Sequence, residues 1–94
     1  MPIPTHPGEI LKDELLEIDM SAHAFAMTLR VPASRIDQII KGNRSITPDT
    51  AIRLAAYFGG SPEFWLNMQT AYDLALAENK TGKEIRAQVK TRAA

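Results

Sequence analysis

Ser34, Asp37, Gln38 and Lys41 stand three, one and three residues apart in a chain of 94. At about 100° per residue, Ser34, Gln38 and Lys41 project from one side of any helix that contains them, with Asp37 on its flank. A hydroxyl, a carboxylate, an amide and an ammonium so arranged lack the activating partner that catalysis requires. They are well suited to hydrogen bonding along the edges of bases. A glutamine amide pairs with N6 and N7 of adenine, and a carboxylate accepts from the amino group of cytosine. Lys41, Asn43 and Arg44 fall at or beyond the end of that helix, where they are placed to hold phosphates rather than to read bases. Arg35 projects to one side, with backbone contact and plain solvation both open to it. The competing reading of the whole set is an ordinary solvated helix face.

The surrounding residues specify what would carry this face. Ser21 is an N-cap for a short helix with Phe25, Ala26 and Leu29 on its apolar side. Leu29-Arg30-Val31 makes a turn, Pro32 is expected at the first position of a second helix, and Gly42 ends that helix. Ile36, Ile39 and Ile40 form its buried stripe, opposite the polar face. Two short helices joined in this way can lay the second in a DNA major groove. Before them, Ile10, Leu11, Leu15 and Ile18 predict a helix from Pro7 to Ile18. After them, Ile46 reads as a buried plug. Thr47-Pro48-Asp49 then starts a helix carrying Ala51, Leu54, Ala55 and Phe58 that stops at Gly59-Gly60. Ser61-Pro62-Glu63 starts a fifth helix, with Phe64, Trp65, Met68, Tyr72 and Leu76, reaching Glu78. Phe64, Trp65, Met68 and Tyr72 are expected to be core, with some apolar surface left over for a dimer interface. In the tail, Thr81 and Glu84 match a capping box ahead of Ile85 and Val89, on a helix too short to stand alone. No stretch alternates with the period of a β-strand. The fold class is therefore all-α: five helices over residues 1–79, with a short basic helical tail over 80–94.

Charge is distributed unevenly along a chain whose formal net charge is zero. Residues 1–29 carry one lysine against five acids, a net −4, and residues 30–53 carry five cations against two acids, a net +3. Residues 54–79 are −3 and residues 80–94 are +4. Zero net charge counts against strong non-specific DNA binding, so a second copy is expected to be needed for useful affinity. With no cysteine there is neither a disulfide framework nor a thiolate metal site. His6 and His23 are too far apart in sequence to suggest a metal site, and His6 is expected to cap or pack the first helix. The start of the chain lacks the pattern of a secretory signal, and no apolar run nears the length of a membrane span. A cytoplasmic protein without cofactor is expected. No nucleophile elbow, glycine-rich phosphate loop or paired-carboxylate spacing suggests an enzyme.

The ordered motifs narrow this further. His6-Pro7-Gly8-Glu9 precedes an acidic amphipathic helix, and Lys41-Gly42-Asn43-Arg44-Ser45-Ile46-Thr47-Pro48 follows the second of the paired helices. Ala51-Ile52-Arg53-Leu54-Ala55, Phe58-Gly59-Gly60-Ser61-Pro62-Glu63-Phe64-Trp65-Leu66-Asn67-Met68-Gln69 and Ala71-Tyr72-Asp73-Leu74 complete the series. Over residues 6–79 the chain resembles the HigA (VapI) plasmid-maintenance antitoxins, whose fold is that of phage-repressor helix-turn-helix proteins. The resemblance implies a homodimer that binds double-stranded operator DNA, represses its own operon and neutralises a cognate toxin, a RelE-like mRNA-cutting protein. A stand-alone repressor of the same fold is the alternative, and a protein-binding helical adaptor a weaker one. The chain departs from that family at three places. Arg30 stands where relatives usually have glycine, which costs about 1 kcal/mol if the turn is left-handed. Pro32 and Ala33 replace a capping serine and an arginine, and Gln38 stands where an arginine is common. The operator sequence is therefore expected to differ.

Overall fold

The computed structural model describes residues 2–92. The described residues form helices α1 (Pro7–Glu17), α2 (Ala22–Leu29), α3 (Ala33–Ile40), α4 (Pro48–Phe58) and α5 (Pro62–Ala77), with a helical extension that ends in α6 (Lys83–Gln88). Their starts follow from local chemistry. Ser21, Thr47 and Ser61 each accept a backbone N–H three residues on, from Ala24, Thr50 and Phe64. Each interaction satisfies one of the amides that a helix leaves unpaired at its start. Prolines at 48 and 62 occupy the first position of α4 and α5, where no N–H is required.

Pro32 behaves differently from expectation. It stands one residue ahead of α3, with φ −58° and ψ 142°, and makes no side-chain cap. The cause lies just before it. Arg30 takes the left-handed conformation, φ 60° and ψ 47°, and Pro32 runs extended to bring the chain round into α3. The Arg30 N–H bonds to the Met27 carbonyl and the Val31 N–H to that of Ala26, closing α2 as a Schellman-type turn. A non-glycine residue therefore bears the strain anticipated from the sequence.

The core joins all five helices. Leu11 and Leu15 from α1, Phe25, Ala26 and Leu29 from α2, Ile36 and Ile39 from α3, Ala51 and Leu54 from α4 and Trp65 from α5 are buried together, with Ile46 plugging the loop between α3 and α4. Ile10 and Ile40 are only partly buried, and Ile18 is exposed just past the end of α1. Phe64 is 53% exposed, against 3% for Trp65. One residue is about 100° of helix, so burying Trp65 turns Phe64 outward. Met68 and Tyr72 are half-buried at the edge.

The tail does not begin with a capping box. α5 passes through a π-helical turn, Glu78–Gly82, directly into α6. Thr81 is inside this turn, with its hydroxyl donating to the Ala77 carbonyl at 3.2 Å, and α6 starts after Gly82 with no side-chain cap. Arg86 bridges the turn to Glu78 at 2.6 Å. Ile85 and Val89 are exposed.

His6 is the N-cap of α1. Its Nδ1 accepts the Gly8 N–H at 2.8 Å, and its ring meets Tyr72 edge-on at 4.8 Å between centroids. Burial lowers its pKa below the ordinary 6.5, while Asp73 and Glu9 push it partly back up. A lowered folded-state pKa means that the unfolded chain takes up the proton first. The cap therefore contributes fully above about pH 6.5 and is progressively lost as the pH falls toward the folded-state value. Thermal unfolding followed by circular dichroism should show a midpoint several degrees lower at pH 5 than at pH 8, consistent with a cap worth about 1 kcal/mol. His6→Asn, which keeps a cap but does not titrate, should lose most of that difference. An equal pH dependence in both proteins would show that His6 is not its source.

Candidate nucleic-acid interface

α3 is fixed from three sides. Ile36 and Ile39 are fully buried beneath it, α2 packs along it through the tight turn, and the first turn of α1 lies against its C-terminal end. Gly8 is in closest approach there. A Cβ at that position would lie 1.8 Å from the Ile39 carbonyl oxygen and 2.7 Å from its carbon. The end of α3 is closed by Gly42, at φ 78°, whose N–H bonds to the Ile39 carbonyl at 3.0 Å, and by the Asn43 N–H, which bonds to that of Gln38 at 2.9 Å.

The loop beyond is held by Gln69, a buried polar residue that sequence reasoning did not single out. Its Oε1 accepts the Ile46 N–H at 2.9 Å, and its Nε2 donates to Asp73 at 2.9 Å. A buried amide N–H left unpaired here would cost about 1–3 kcal/mol. The signal was present in outline: Gln69 lies one helical turn beyond the buried Trp65 and one turn before Asp73.

On this support, Ser34, Asp37, Gln38 and Lys41 are all exposed. Lys41 Nζ lies 2.9 Å from an Asp37 carboxylate oxygen, a pair of solvated groups one helical turn apart. Such a pair is worth less than about 1 kcal/mol and can open readily. It also offsets the charge of Asp37, the one acid on the face. A shallow groove between the start of α2 and the start of α3, lined by Ala22, His23, Ala33, Ser34 and Asp37, flanks the face on one side.

Arg35 is drawn away from these four and toward α4. Its Nη1 donates to Asp49 at 3.1 Å, and Asp49 also accepts from Arg53 at 3.0 Å. Arg53 in turn donates to the Leu29 carbonyl at 2.8 Å, bracing the left-handed turn. The hydrogen bond from Arg53 is the main cause that holds the Asp49 carboxyl below its usual range; desolvation opposes it, and the fields of Arg53 and Arg35 and the Arg35 hydrogen bond reinforce it. Arg35, Arg44, Arg53 and Arg30 line a cleft of about 590 Å³. Arg44 thus lines the same cleft as Arg35, which Gln38 does not, and Asn43 is exposed in the turn. Arg53 and Asp49 were not among the expected functional residues. Their acid-then-base spacing on one helix is visible in the sequence, but Arg35 reaches them only through the fold.

The arrangement is an exposed row of donors and acceptors on a rigid helix, with a cationic cleft at one edge. Among the described residues no helix is long and apolar enough to cross a membrane, and no group of three or more histidine and acidic side chains could hold a metal ion.

Comparison with known proteins defines the class. Residues 11–65 match the helix-turn-helix family, and the chain belongs to it. It belongs, within that class, to the HigA (VapI) antitoxin family. Virulence-associated protein I of Dichelobacter nodosus is 58% identical over 74 residues, which are 78% of this chain and 68% of that protein. The structure of an addiction module antidote protein of the HigA family from Coxiella burnetii is 52% identical, with a TM-score of 0.89 over 96% of this chain and 99% of that one. The Pseudomonas aeruginosa antitoxin HigA, solved with the higBA promoter, is 44% identical, with a TM-score of 0.89 over 95% of this chain and 98% of that one.

Proposed function

We propose that this chain is the antitoxin of a toxin–antitoxin pair, binding operator DNA as a homodimer, repressing its own operon and neutralising a RelE-like mRNA-cutting toxin. The observation that carries the DNA half is the exposed polar face of α3, whose opposite side is locked into the core. In this reading Gln38 reads a base, Ser34 and Asp37 make or exclude neighbouring base contacts, and Lys41, Asn43, Arg44 and Arg35 hold the backbone. The helix face of a dimer would meet two half-sites about one helical turn apart. The promoter bound to the Pseudomonas aeruginosa relative supports the same use here. We assign DNA binding to residues 1–79 and, to the basic tail, where Ile85 and Val89 stand exposed, contact with another chain or with nucleic acid.

The toxin half rests on family membership and on charge. A protein that cuts RNA must be basic to hold its substrate. The outer side of α1 offers Glu9, Asp13, Glu14 and Glu17, all exposed. Titrated against the purified product of the neighbouring gene in a translation assay, the protein should restore activity stoichiometrically, one copy shielding one toxin. Asp13→Lys with Glu14→Lys should slow association several-fold at low salt and leave operator binding nearly intact. Unchanged association would move the toxin contact off α1. A neighbouring product that is harmless when expressed alone would leave a stand-alone repressor.

A further inference from the structure

The cleft between the α2–α3 turn and the start of α4 is lined by four arginines, Arg30, Arg35, Arg44 and Arg53, and by one acid, Asp49, which holds Arg35 and Arg53. Among the described residues, Arg30 and Arg44 form no ion pair. The local excess is three positive charges, in a chain whose formal net charge is zero. Asp49 does not hold its two partners equally. Arg53 bonds to both of its carboxylate oxygens, at 3.0 and 3.5 Å, and is anchored again on the Leu29 carbonyl. Arg35 has one contact, at 3.1 Å, to an oxygen that Arg53 already shares. Arg53 is therefore part of the framework, and Arg35 is the exchangeable partner.

We propose that this cleft seats a backbone phosphate of duplex DNA, and that Asp49 is a built-in competitor from which the phosphate must take Arg35. This rests on the DNA-binding reading above and adds to it a site and a control on affinity. Arg35 lies on the flank of α3, turned from Gln38 toward α4, so a strand passing the edge of the reading face passes this cleft. A phosphate diester there accepts from Arg35, Arg30 and Arg44, while Asp49 stays on Arg53. The exchange is inexpensive, because an exposed ion pair contributes little. Its consequence is uniform. Phosphate contacts supply affinity to every sequence alike, so an internal anion that weakens one of them lowers binding to every duplex and leaves base reading untouched.

The test is the affinity of Asp49→Asn for its own upstream DNA and for a random duplex, across a range of salt concentrations. Asparagine preserves the shape and can still accept from Arg53. Binding to both duplexes should tighten about threefold to tenfold, and the salt slope should steepen by up to about one. Glu63→Gln, which removes one negative charge from the exposed first turn of α5, should change affinity less than about twofold. In an Arg35→Gln background the gain from Asp49→Asn should largely vanish. An Asp49→Asn protein with a native melting curve and unchanged or weaker DNA binding would overturn the proposal, as would a gain that survives without Arg35. Wild-type protein that binds no duplex at all would remove the underlying reading too, so the two failures are distinguishable.

Discussion

Gly8→Ala is expected to lower the melting temperature by on the order of 15 °C and to abolish operator binding with it. The added methyl would meet the Ile39 carbonyl group at 1.8 and 2.7 Å, and both contacts are with main-chain atoms that no rotamer change can clear. Either α1 lifts from α3 or the last turn of α3 deforms. Lifting α1 unseats Leu11 and Leu15, which are 0% and 3% exposed. Deforming α3 disturbs the carbonyl that accepts the Gly42 N–H, and with it the turn carrying Asn43 and Arg44. Overpacking of this kind costs typically 1–3 kcal/mol and more where backbone must move. In a domain of this size each kilocalorie is about 4–8 °C of melting temperature. Thermal unfolding by circular dichroism measures it directly. A variant melting within about 3 °C of wild type would show that the α1–α3 contact is looser than these distances imply.

Features set by neighbours in sequence were legible from the sequence. Ser21, Thr47 and Ser61 cap the helices they were expected to start, because a cap needs only its own side chain and an amide three residues away. The buried stripe of Ile36 and Ile39, the Ile46 plug and the Gly42 terminus likewise agree with expectation. Contacts with distant partners were not legible. Arg35 had two open readings, since nothing in its own helix shows that Asp49, fourteen residues on, will hold it. Gln69 reaches Ile46 across 23 residues. At the C-terminus the local pattern misled. Thr81 and Glu84 match a capping box, but the helix arriving from α5 does not stop at Glu78. Its continuation through a π turn leaves Thr81 bonded backward to Ala77. Gly82 is buried inside that turn, where a Cβ would press on the Glu78 carboxylate.

Gln38→Ala should cost the protein about 1–3 kcal/mol on its specific site, a loss of roughly 5- to 150-fold, while leaving random DNA nearly unaffected. Gln38 is exposed and has no structural duty for its side chain to abandon, so the fold should survive the change. Arg44→Ala should behave oppositely. It removes a cation from the edge of the reading face, weakens binding to all sequences alike and lowers the salt slope by about one. The contrast between the two variants discriminates a base reader from a backbone holder. Neither a solvated helix face nor a general electrostatic attraction produces it.

The most direct measurement is therefore fluorescence anisotropy of labelled DNA from upstream of the protein's own gene, set against a scrambled duplex, for wild type, Gln38→Ala and Arg44→Ala at several salt concentrations. Wild type should prefer its own DNA by about three orders of magnitude or more. Gln38→Ala should erode that preference, and Arg44→Ala should weaken both duplexes while preserving it. Equal binding of wild type to both duplexes, or identical behaviour of the two variants, would contradict α3 as the element that reads DNA.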